Sequence, residues 1–320
     1  MALLAYHASH EQFSPSHLLQ LAIQAEQAGF DAIHSSDHFN PWSHRQGHSG
    51  FSFAWVASAL QATRLPVSMI CTPGQRYHPA IVAQAIATLG EMYPGRYTVE
   101  LGSGEALNEC ITGDGWPDKK ERNQRLLDSA QAIRSLLNGQ TLTRRGPVTM
   151  QHARLWSLPD TPVPLFCAAI SAETAGWSGR WADGLITTSG TVTELQEKME
   201  AWAANGGSGK PVYVQYSFSF APTRQEAIDA AYDQWRSNLV ERDQLADLRT
   251  TEDFDNLTAD LDRDTVASKI PLITGMDELF EKVDEIRATG VELISLHNVN
   301  RNHEEFIREF GRVKKTLSPS

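Results

Sequence analysis

Short apolar runs alternate along the chain with longer stretches whose apolar residues recur every three or four positions. The first pattern predicts buried strands and the second predicts amphipathic helices. Pro15 opens one such helix and Gly29 ends it, at positions that these residues favour. The predicted strands span residues 2–7, 30–35, 66–71, 96–101, 163–168, 184–188, 211–220, 271–274 and 291–297. The predicted helices span residues 15–28, 53–63, 79–92, 121–137, 172–180, 193–204, 223–240, 277–288 and 303–317.

This alternation of strands and helices indicates parallel strands joined by right-handed crossovers. The count is close to eight strand–helix units, and closing such a sheet leaves no exposed parallel edge. We therefore predict an α/β fold, a (β/α)8 TIM barrel with insertions, formed as one domain by residues 1–320. Two stretches interrupt the alternation. The turn-rich stretch 141–156 predicts a hairpin insertion, and the charged stretch 241–264 predicts an insertion or mobile loop near the site.

The charge balance narrows the possible partners. Lys and Arg number 28 and Asp and Glu 39, so the net charge is 28 − 39 = −11, without a basic patch. Nucleic acid and membrane surfaces are thereby disfavoured as partners. Cys71, Cys110 and Cys167 lack the spacing of a disulfide framework or zinc site, so we expect no metal and a cytoplasmic location. No apolar run reaches the roughly 18 residues of a membrane span, and the N-terminus lacks the basic region of a signal peptide.

Polar side chains follow several predicted strands, and in a barrel these positions gather at the face where active sites are built. His38, beside Asp37, is a candidate general base because imidazole titrates near neutrality, or else a structural histidine at a strand end. Glu105 follows a Gly-x-Gly turn and is a candidate acid whose proton is held by burial, or else a cap for the next helix. Trp42 is either a flat wall for a ring-shaped ligand or a core residue.

Four segments carry a resemblance to a known family. They are Ser-Asp-His-Phe-Asn-Pro-Trp at 36–42, Thr-Pro-Gly-Gln-Arg-Tyr-His-Pro at 72–79, Gly-Glu-Ala-Leu-Asn-Glu at 104–109, and Thr-Ser-Gly at 188–190. Together they resemble the luciferase-like flavin and deazaflavin oxidoreductases, most of all the glucose-6-phosphate dehydrogenase branch that uses the deazaflavin coenzyme F-420. The resemblance runs over nearly the whole chain. It implies a (β/α)8 barrel, commonly a homodimer, with a flavin-type ring at the C-terminal face.

The resemblance also implies roles for individual residues. His38 would take the hydroxyl proton of an alcohol while hydride passes to the ring, Glu105 would donate a proton to a ring nitrogen, and Trp42 would stabilise the reacting centre. A non-prolyl cis peptide, which costs roughly 3 kcal/mol, would join Met69 and Ile70 behind the ring. The residues implied to bind the cofactor are Asp37, Met69, Ile70, Thr72, Asn108, Ala168, Ala169, Ile170 and Ser171.

Two departures from the family pattern affect the expected substrate and cofactor. Thr191 stands where the dehydrogenase branch has a lysine that grips the sugar phosphate, and Lys269 stands in place of an arginine, so the resemblance makes both candidate substrate-binding residues. A second lysine of that grip maps to Leu245, so glucose 6-phosphate is disfavoured as the substrate. Ser171 replaces a glycine of the phosphate turn, and this hydroxyl ahead of a helix favours FMN over the deazaflavin.

The leading hypothesis is therefore an FMN-dependent oxidoreductase that transfers hydride between a small organic substrate and the flavin ring through His38 and Glu105. Two enzymatic alternatives remain open. One is a reduced-flavin-dependent monooxygenase, and the other is a deazaflavin-dependent dehydrogenase whose substrate is not glucose 6-phosphate. A flavin-binding protein without catalysis is a third alternative, although storage of a cofactor requires no acid or base.

Overall fold

Eleven strands form in the computed structural model, which describes residues 2–240 and 242–317. They are β1 (Leu3–Ala8), β2 (Ala32–Ser35), β3 (Val67–Cys71), β4 (Tyr97–Leu101), β5 (Leu142–Arg144), β6 (Met150–Ala153), β7 (Leu165–Ala168), β8 (Gly184–Thr188), β9 (Val212–Phe220), β10 (Leu272–Ile273) and β11 (Leu293–Asn298). Within these residues, eight parallel strands close into a barrel in the order β1, β2, β3, β4, β7, β8, β9 and β11, with β11 pairing back onto β1. The predicted (β/α)8 barrel is confirmed.

Helices cover the outside of the barrel. They are α1 (Pro15–Ala28), α2 (Ser52–Ala62), α3 (Pro79–Met92), α4 (Ala106–Glu109), α5 (Lys119–Leu137), α6 (Ala172–Ser178), α7 (Val192–Trp202), α8 (Arg224–Gln234), α9 (Arg242–Leu245), α10 (Thr251–Leu257), α11 (Arg263–Lys269), α12 (Met276–Arg287) and α13 (His303–Leu317). Pro15 occupies the first turn of α1, and Gly29 ends that helix with φ 91°. Among the helices described, none has the length and apolar character needed to cross a bilayer.

The first insertion is the hairpin predicted at 141–156. Strands β5 and β6 pair antiparallel outside the barrel, with Leu142 opposite Ala153 and Arg144 opposite Met150. The predicted strand at 271–274 shortens to β10, which pairs with β9 alone among the described strands and stays outside the barrel closure. Neither the hairpin nor β10 therefore interrupts the eight-strand barrel.

The single helix predicted at 223–240 is wrong. Helix α8 ends at Gln234, and a 3-10 turn over Arg236–Leu239 follows it. At Trp235 the backbone leaves the helix with φ −118°, and the indole packs edge-on against His297, with ring centroids 5.0 Å apart. The helix is interrupted because this aromatic side chain turns toward the barrel mouth.

The second insertion, predicted as an insertion or mobile loop at 241–264, contains the short helices α9 and α10 and the start of α11, joined by turns; residue 241 lies outside the described part. Helix α10 begins at a capping box in which Thr250 and Asp253 bond reciprocally to backbone N–H groups. Phe254 is fully buried and meets Trp42 edge-on at 5.1 Å. This aromatic contact anchors the insertion against the C-terminal face of the barrel.

The expected cis peptide between Met69 and Ile70 is wrong, since the bond is trans. Both residues continue the regular pairing of β3 with β4, Met69 opposite Val99 and Ile70 opposite Glu100. The strand thus passes through this point without a bulge.

Candidate active site

A cavity of about 390 Å³ opens among the residues that follow the barrel strands. Its lining residues are His7, Ser9, Glu11, Ser36, Asp37, His38, Trp42, Gln46, Ile70, Glu105, Ala168, Ala169, Ile170, Ile186, Thr187, Thr188, Gln215, Ser217, Trp235, Asn238, Val240, Leu245 and His297. This wall contains neither lysine nor arginine among the described residues. It joins carboxylates and imidazoles to apolar surface, as is typical of an enzyme site for a small organic molecule.

His38 forms an ion-pair geometry with Glu11, a residue that the sequence analysis did not select. The His38 Nε2 atom lies 3.7 Å from Glu11 Oε1, and both side chains are largely buried. The other Glu11 oxygen accepts hydrogen bonds from the hydroxyls of Ser9 (2.7 Å) and Ser36 (3.1 Å). Burial tends to raise the pKa of Glu11, but the His38 ring and the Ser9 bond outweigh it and leave the pKa below its ordinary value. Glu11 is therefore a positioned carboxylate beside the imidazole.

Asn108 holds the other side of the His38 ring. Its Oδ1 atom accepts from the backbone N–H groups of Phe39 (2.8 Å) and Asn40 (3.3 Å), so its Nδ2 atom faces His38 Nδ1 at 3.1 Å. Since Nδ2 can only donate, Nδ1 accepts, and a neutral ring carries its hydrogen on Nε2. Uptake of a further proton at this pair then has to involve Glu11. The structure places Asn108 against His38, and Asn108 does not line the cavity.

Glu105 stands in the same cavity wall. Its side chain does not cap α4, and its carboxylate has no hydrogen-bond partner within residues 2–240 and 242–317. Burial raises the pKa of this carboxyl to about 7, against the lowering effect of His38, and Glu11 and Glu109 raise it further. At neutral pH the group can hold a proton and release it into the cavity, as a general acid must. Of the two roles predicted for Glu105, the geometry therefore favours the general acid over the helix cap.

Trp42 lies at the junction of the cavity and the second insertion. Its ring is tilted against His38 at 4.9 Å and meets Phe254 edge-on. It packs with Leu107, Val240 and Leu245 while still lining the cavity. The residue is therefore a wall of the cavity and also part of a small apolar cluster.

Asp37 is committed to a buried ion-pair network beside the cavity. The Arg76 guanidinium reaches Asp37 Oδ2 at 2.8 Å and Glu109 Oε1 at 3.4 Å, and the Tyr77 hydroxyl donates to Asp37 Oδ1 at 3.1 Å. Burial raises the pKa of Asp37 more than Arg76 lowers it. This network links the turns after β2, β3 and β4.

Met69 and Ile70, two predicted cofactor-binding residues, point to opposite faces of strand β3. Ile70 points into the barrel and lines the cavity, whereas Met69 is fully buried in the core shared with the outer helices. Successive side chains of a strand point to opposite faces, so neighbours cannot both meet a ligand in the barrel. Thr72 does not line the cavity and instead lies below the turn at Gly102 and Gly104.

The predicted phosphate turn follows β7. Ala168, Ala169 and Ile170 line the cavity, and Ile170 is 45% exposed. The Ser171 hydroxyl caps α6, where it accepts from the Thr174 N–H at 3.3 Å and donates to the Thr174 hydroxyl at 3.1 Å. The helix therefore already uses this hydroxyl, which removes the specific reason to prefer FMN.

The two predicted substrate residues lie outside the cavity wall. Thr191 is exposed and forms the capping box of α7 with Glu194. Lys269 is exposed at the end of α11. Neither lines the cavity, so the substrate space has no cation at these positions.

The apolar part of the cavity lining includes Ile70, Ala168 and Ala169. Gly104 has φ 82°, and a Cβ atom there would lie only 2.6 Å from Thr72 Cγ2, so the turn that presents Glu105 requires glycine. An unpartnered carboxyl next to such a surface suits a ring that takes up a proton during reduction.

A TIM barrel with an imidazole, a neighbouring carboxylate and a second buried carboxyl at its C-terminal face has the architecture of an enzyme. The model of the luciferase-like monooxygenase family matches residues 2–293. The protein therefore belongs to the luciferase-like monooxygenase family and is an oxidoreductase, as the resemblance implied.

Three individual proteins illustrate what this chain is similar to. The F420-dependent glucose-6-phosphate dehydrogenase of Gordonia bronchialis is 32% identical over 329 residues, which cover 99% of this chain and 96% of the relative. A solved F420-dependent secondary alcohol dehydrogenase in complex with an F420-acetone adduct is 28% identical, with a TM-score of 0.89 and 100% of both chains covered. The oxygenating constituent of 3,6-diketocamphane monooxygenase from Pseudomonas putida, solved with FMN, is 15% identical with a TM-score of 0.73, over 100% of this chain and 99% of that one. This last likeness is one of fold alone.

Proposed function

We propose that the protein is a deazaflavin-dependent dehydrogenase of uncharged alcohols. The observation that carries this proposal is the presence of the His38–Glu11 pair and the protonatable Glu105 in one cavity whose wall has no lysine or arginine. The similarity to two F420-dependent dehydrogenases supports the deazaflavin, which is the alternative to FMN that the sequence analysis left open.

The bound deazaflavin would supply a ring that accepts hydride from the carbinol carbon. The His38–Glu11 pair would bind the carbinol oxygen in the gap of 3.7 Å between Nε2 and Oε1. An oxygen atom fits within hydrogen-bond distance of both atoms. His38 Nε2–H donates to this oxygen, and Glu11 accepts the hydroxyl proton as the hydride leaves. The resemblance assigns uptake of the hydroxyl proton to His38 alone, whereas here His38 and Glu11 carry out this step together.

Glu105 would deliver the second proton, to a ring nitrogen. With a pKa of about 7 it is partly protonated at neutral pH, so it supports both transfer of the proton and its recovery from solvent. The alcohol would lose one hydride and one hydroxyl proton, and a bound ring would gain one hydride and one proton. The protons therefore balance between Glu11 and Glu105 over a turnover.

The charge of the wall argues against a sugar phosphate as substrate. Glu11, Asp37 and Glu105 line the cavity, and the lysine and arginine positions of the phosphate grip hold Thr191 and an exposed Lys269. A phosphate dianion would meet Glu11 with no lysine or arginine in the cavity wall to bind it, which costs several kcal/mol. An uncharged secondary alcohol meets no such penalty.

The proposal is tested by mixing the protein anaerobically with oxidised deazaflavin and a panel of secondary alcohols while following loss of the oxidised-ring absorbance. We expect turnover by the wild type and its loss in His38→Ala, with deazaflavin binding retained by both proteins. Full turnover by His38→Ala would contradict the proposed role. Oxygen consumption with reduced FMN, without alcohol oxidation, would favour the monooxygenase instead.

A further inference from the structure

One layer of the barrel interior, next to the cavity, is polar. TIM-barrel interiors are usually filled by bulky branched side chains. Here His7 on β1, His34 on β2, Glu100 on β4 and Ser295 on β11 point inward, and His34, Glu100 and Ser295 are fully buried. The acid–base chemistry proposed above uses none of them.

These residues form one hydrogen-bonded chain that ends at the cavity. Glu100 Oε2 lies 2.8 Å from His34 Nε2, and His34 Nδ1 lies 2.9 Å from His7 Nδ1 and 2.9 Å from the Ser295 hydroxyl. Both nitrogens of His34 and one nitrogen of His7 are thereby occupied. The Nε2 atom of His7 has no partner within the described residues, and His7 lines the cavity.

His297 presents a second ring nitrogen at the same place. Its ring stacks on His7 with centroids 4.0 Å apart and a tilt of 32°. Its Nδ1 atom is bound by Gln215 at 3.1 Å and the Ser217 hydroxyl at 3.2 Å. The Nε2 atom of His297 also lacks a partner in the part of the chain that the structure describes. Two adjacent imidazoles therefore offer one free nitrogen each to a ligand.

These imidazoles carry no charge at neutral pH. Burial, and then the neighbouring His297 and His34 rings, lower the pKa of His7 well below its ordinary value. Burial lowers the pKa of His297 to about 3. With no lysine or arginine in the wall, an anionic group would find no positive partner here. The Gln215 amide nitrogen can only donate, so His297 Nδ1 accepts and the neutral His297 ring carries its hydrogen on Nε2. A hydroxyl matches this arrangement, because it can accept from His297 Nε2–H and donate to an unprotonated His7 Nε2.

We propose that the stacked His7–His297 pair is a binding site for a second hydroxyl group of the substrate, so that the preferred alcohols are uncharged diols or polyols. The Glu100–His34 chain holds the His7 ring in place and keeps its Nε2 atom toward the cavity. The assignment of the reacting hydroxyl to His38 and Glu11 rests on the proposed function, whereas the second site depends only on the two imidazoles.

The experiment compares butan-2-ol with butane-1,3-diol and butane-2,3-diol, using the protein loaded with deazaflavin. We expect kcat/KM to be roughly tenfold higher for one of the diols than for the mono-alcohol, as two net hydrogen bonds allow. In His7→Phe this ratio falls to about 1, and taking a ratio cancels any general loss of activity. His303→Gln is the control, because His303 is equally buried but bonds to Tyr6 and the Asn298 carbonyl away from the cavity. Its ratio remains that of the wild type.

A second measurement needs no variant to fold. In wild-type protein labelled with 15N-histidine, the diol shifts the Nε2 signals of His7 and His297 and butan-2-ol does not, whereas the His38 Nε2 signal responds to both alcohols. Suppose that alcohols are oxidised, but that His7→Phe and the wild type have the same ratio of kcat/KM for diol and mono-alcohol, or that the wild type prefers butan-2-ol. The second hydroxyl site is then overturned, whereas the proposed dehydrogenase activity stands. If no alcohol is oxidised yet the diol shifts these signals, the hydroxyl site stands and the proposed function falls. Absence of diol-specific shifts overturns the inference.

Discussion

The Nε2 atom of His38 and the Oε1 atom of Glu11 lie 3.7 Å apart across the mouth of the barrel, too far for a direct hydrogen bond and close enough to share one oxygen atom. Asn108 fixes the ring on its other side. The pair therefore behaves as one acid–base unit, and the number of protons that it holds depends on both residues.

Replacing Glu11 tests this unit directly. Glu11→Gln keeps the shape of the side chain but removes the proton acceptor, so kcat for alcohol oxidation falls by about a hundredfold or more. The matched control is Ser9→Ala, which removes one hydrogen bond to Glu11 and leaves the carboxylate in place. Its kcat falls by less than about tenfold. Equal losses in the two variants would show that Glu11 acts only through local structure.

Asn108→Asp tests the control of the His38 tautomer. The aspartate still accepts from the backbone N–H groups of Phe39 and Asn40, but its second oxygen now accepts from His38 Nδ1, which leaves Nε2 free to take a proton. We expect Glu11→Gln to cost at least tenfold less in the Asn108→Asp background than in the wild type. The measurement is a double-mutant cycle on kcat. Additive effects would contradict the tautomer argument.

The raised pKa of Glu105 predicts how activity depends on pH. Because the protonated form supplies the ring proton, alcohol oxidation slows as pH rises through about 7. Glu105→Gln is slower at pH 6, and its profile lacks this inflection. A wild-type profile that stays flat between pH 6 and 8.5 would exclude Glu105 as the acid.

The raised pKa of Glu105 also predicts how the stability of the fold changes with pH. Folding raises the pKa of Glu105 from the ordinary 4.5 to about 7, so its favourable contribution is complete below 4.5 and is lost as pH rises through 7. The melting temperature of the wild type, measured against that of Glu105→Gln, is therefore lower at pH 8 than at pH 5. Thermal unfolding at both values measures the difference, and an equal difference at both would contradict the burial of the carboxylate.

The turn before Glu105 predicts a contrast between two glycines. Gly104→Ala combines a φ of 82° with a Cβ contact of 2.6 Å to Thr72, whereas Gly113→Ala has a φ of 80° with nothing within 4 Å. Gly113→Ala then costs about 1 kcal/mol of unfolding free energy, and overpacking makes Gly104→Ala cost about 1–3 kcal/mol more. Denaturant unfolding measures both variants. Equal costs would mean that Thr72 moves aside freely.

The sequence predicts the barrel well because each strand and most helices carry a local signature. The hydrophobic period, Pro15 and Gly29 at helix ends, and the turn-rich stretch 141–156 all depend on neighbours in the chain. The break at Trp235 depends instead on a contact with His297, which is distant in sequence. Local periodicity contains no sign of such a contact.

The site was predicted in part for the same reason. Polar residues just after strands, such as His38 and Glu105, can be found by position alone. Glu11 follows the first strand in the same way, so its position in the sequence also indicates the site. Strand alternation also places Met69 and Ile70 on opposite faces. By contrast, the bonding of Asn108 to His38 and the His7–His34–Glu100 chain joins different strands and appears only when the barrel closes.

The most direct test of the account is an anaerobic reaction of the wild-type protein with a secondary alcohol and either oxidised deazaflavin or oxidised FMN, followed by absorbance. We expect the alcohol to reduce the deazaflavin, and FMN to be reduced slowly or not at all. Reduction of FMN without reduction of the deazaflavin, or no reduction of either by any alcohol, would contradict it.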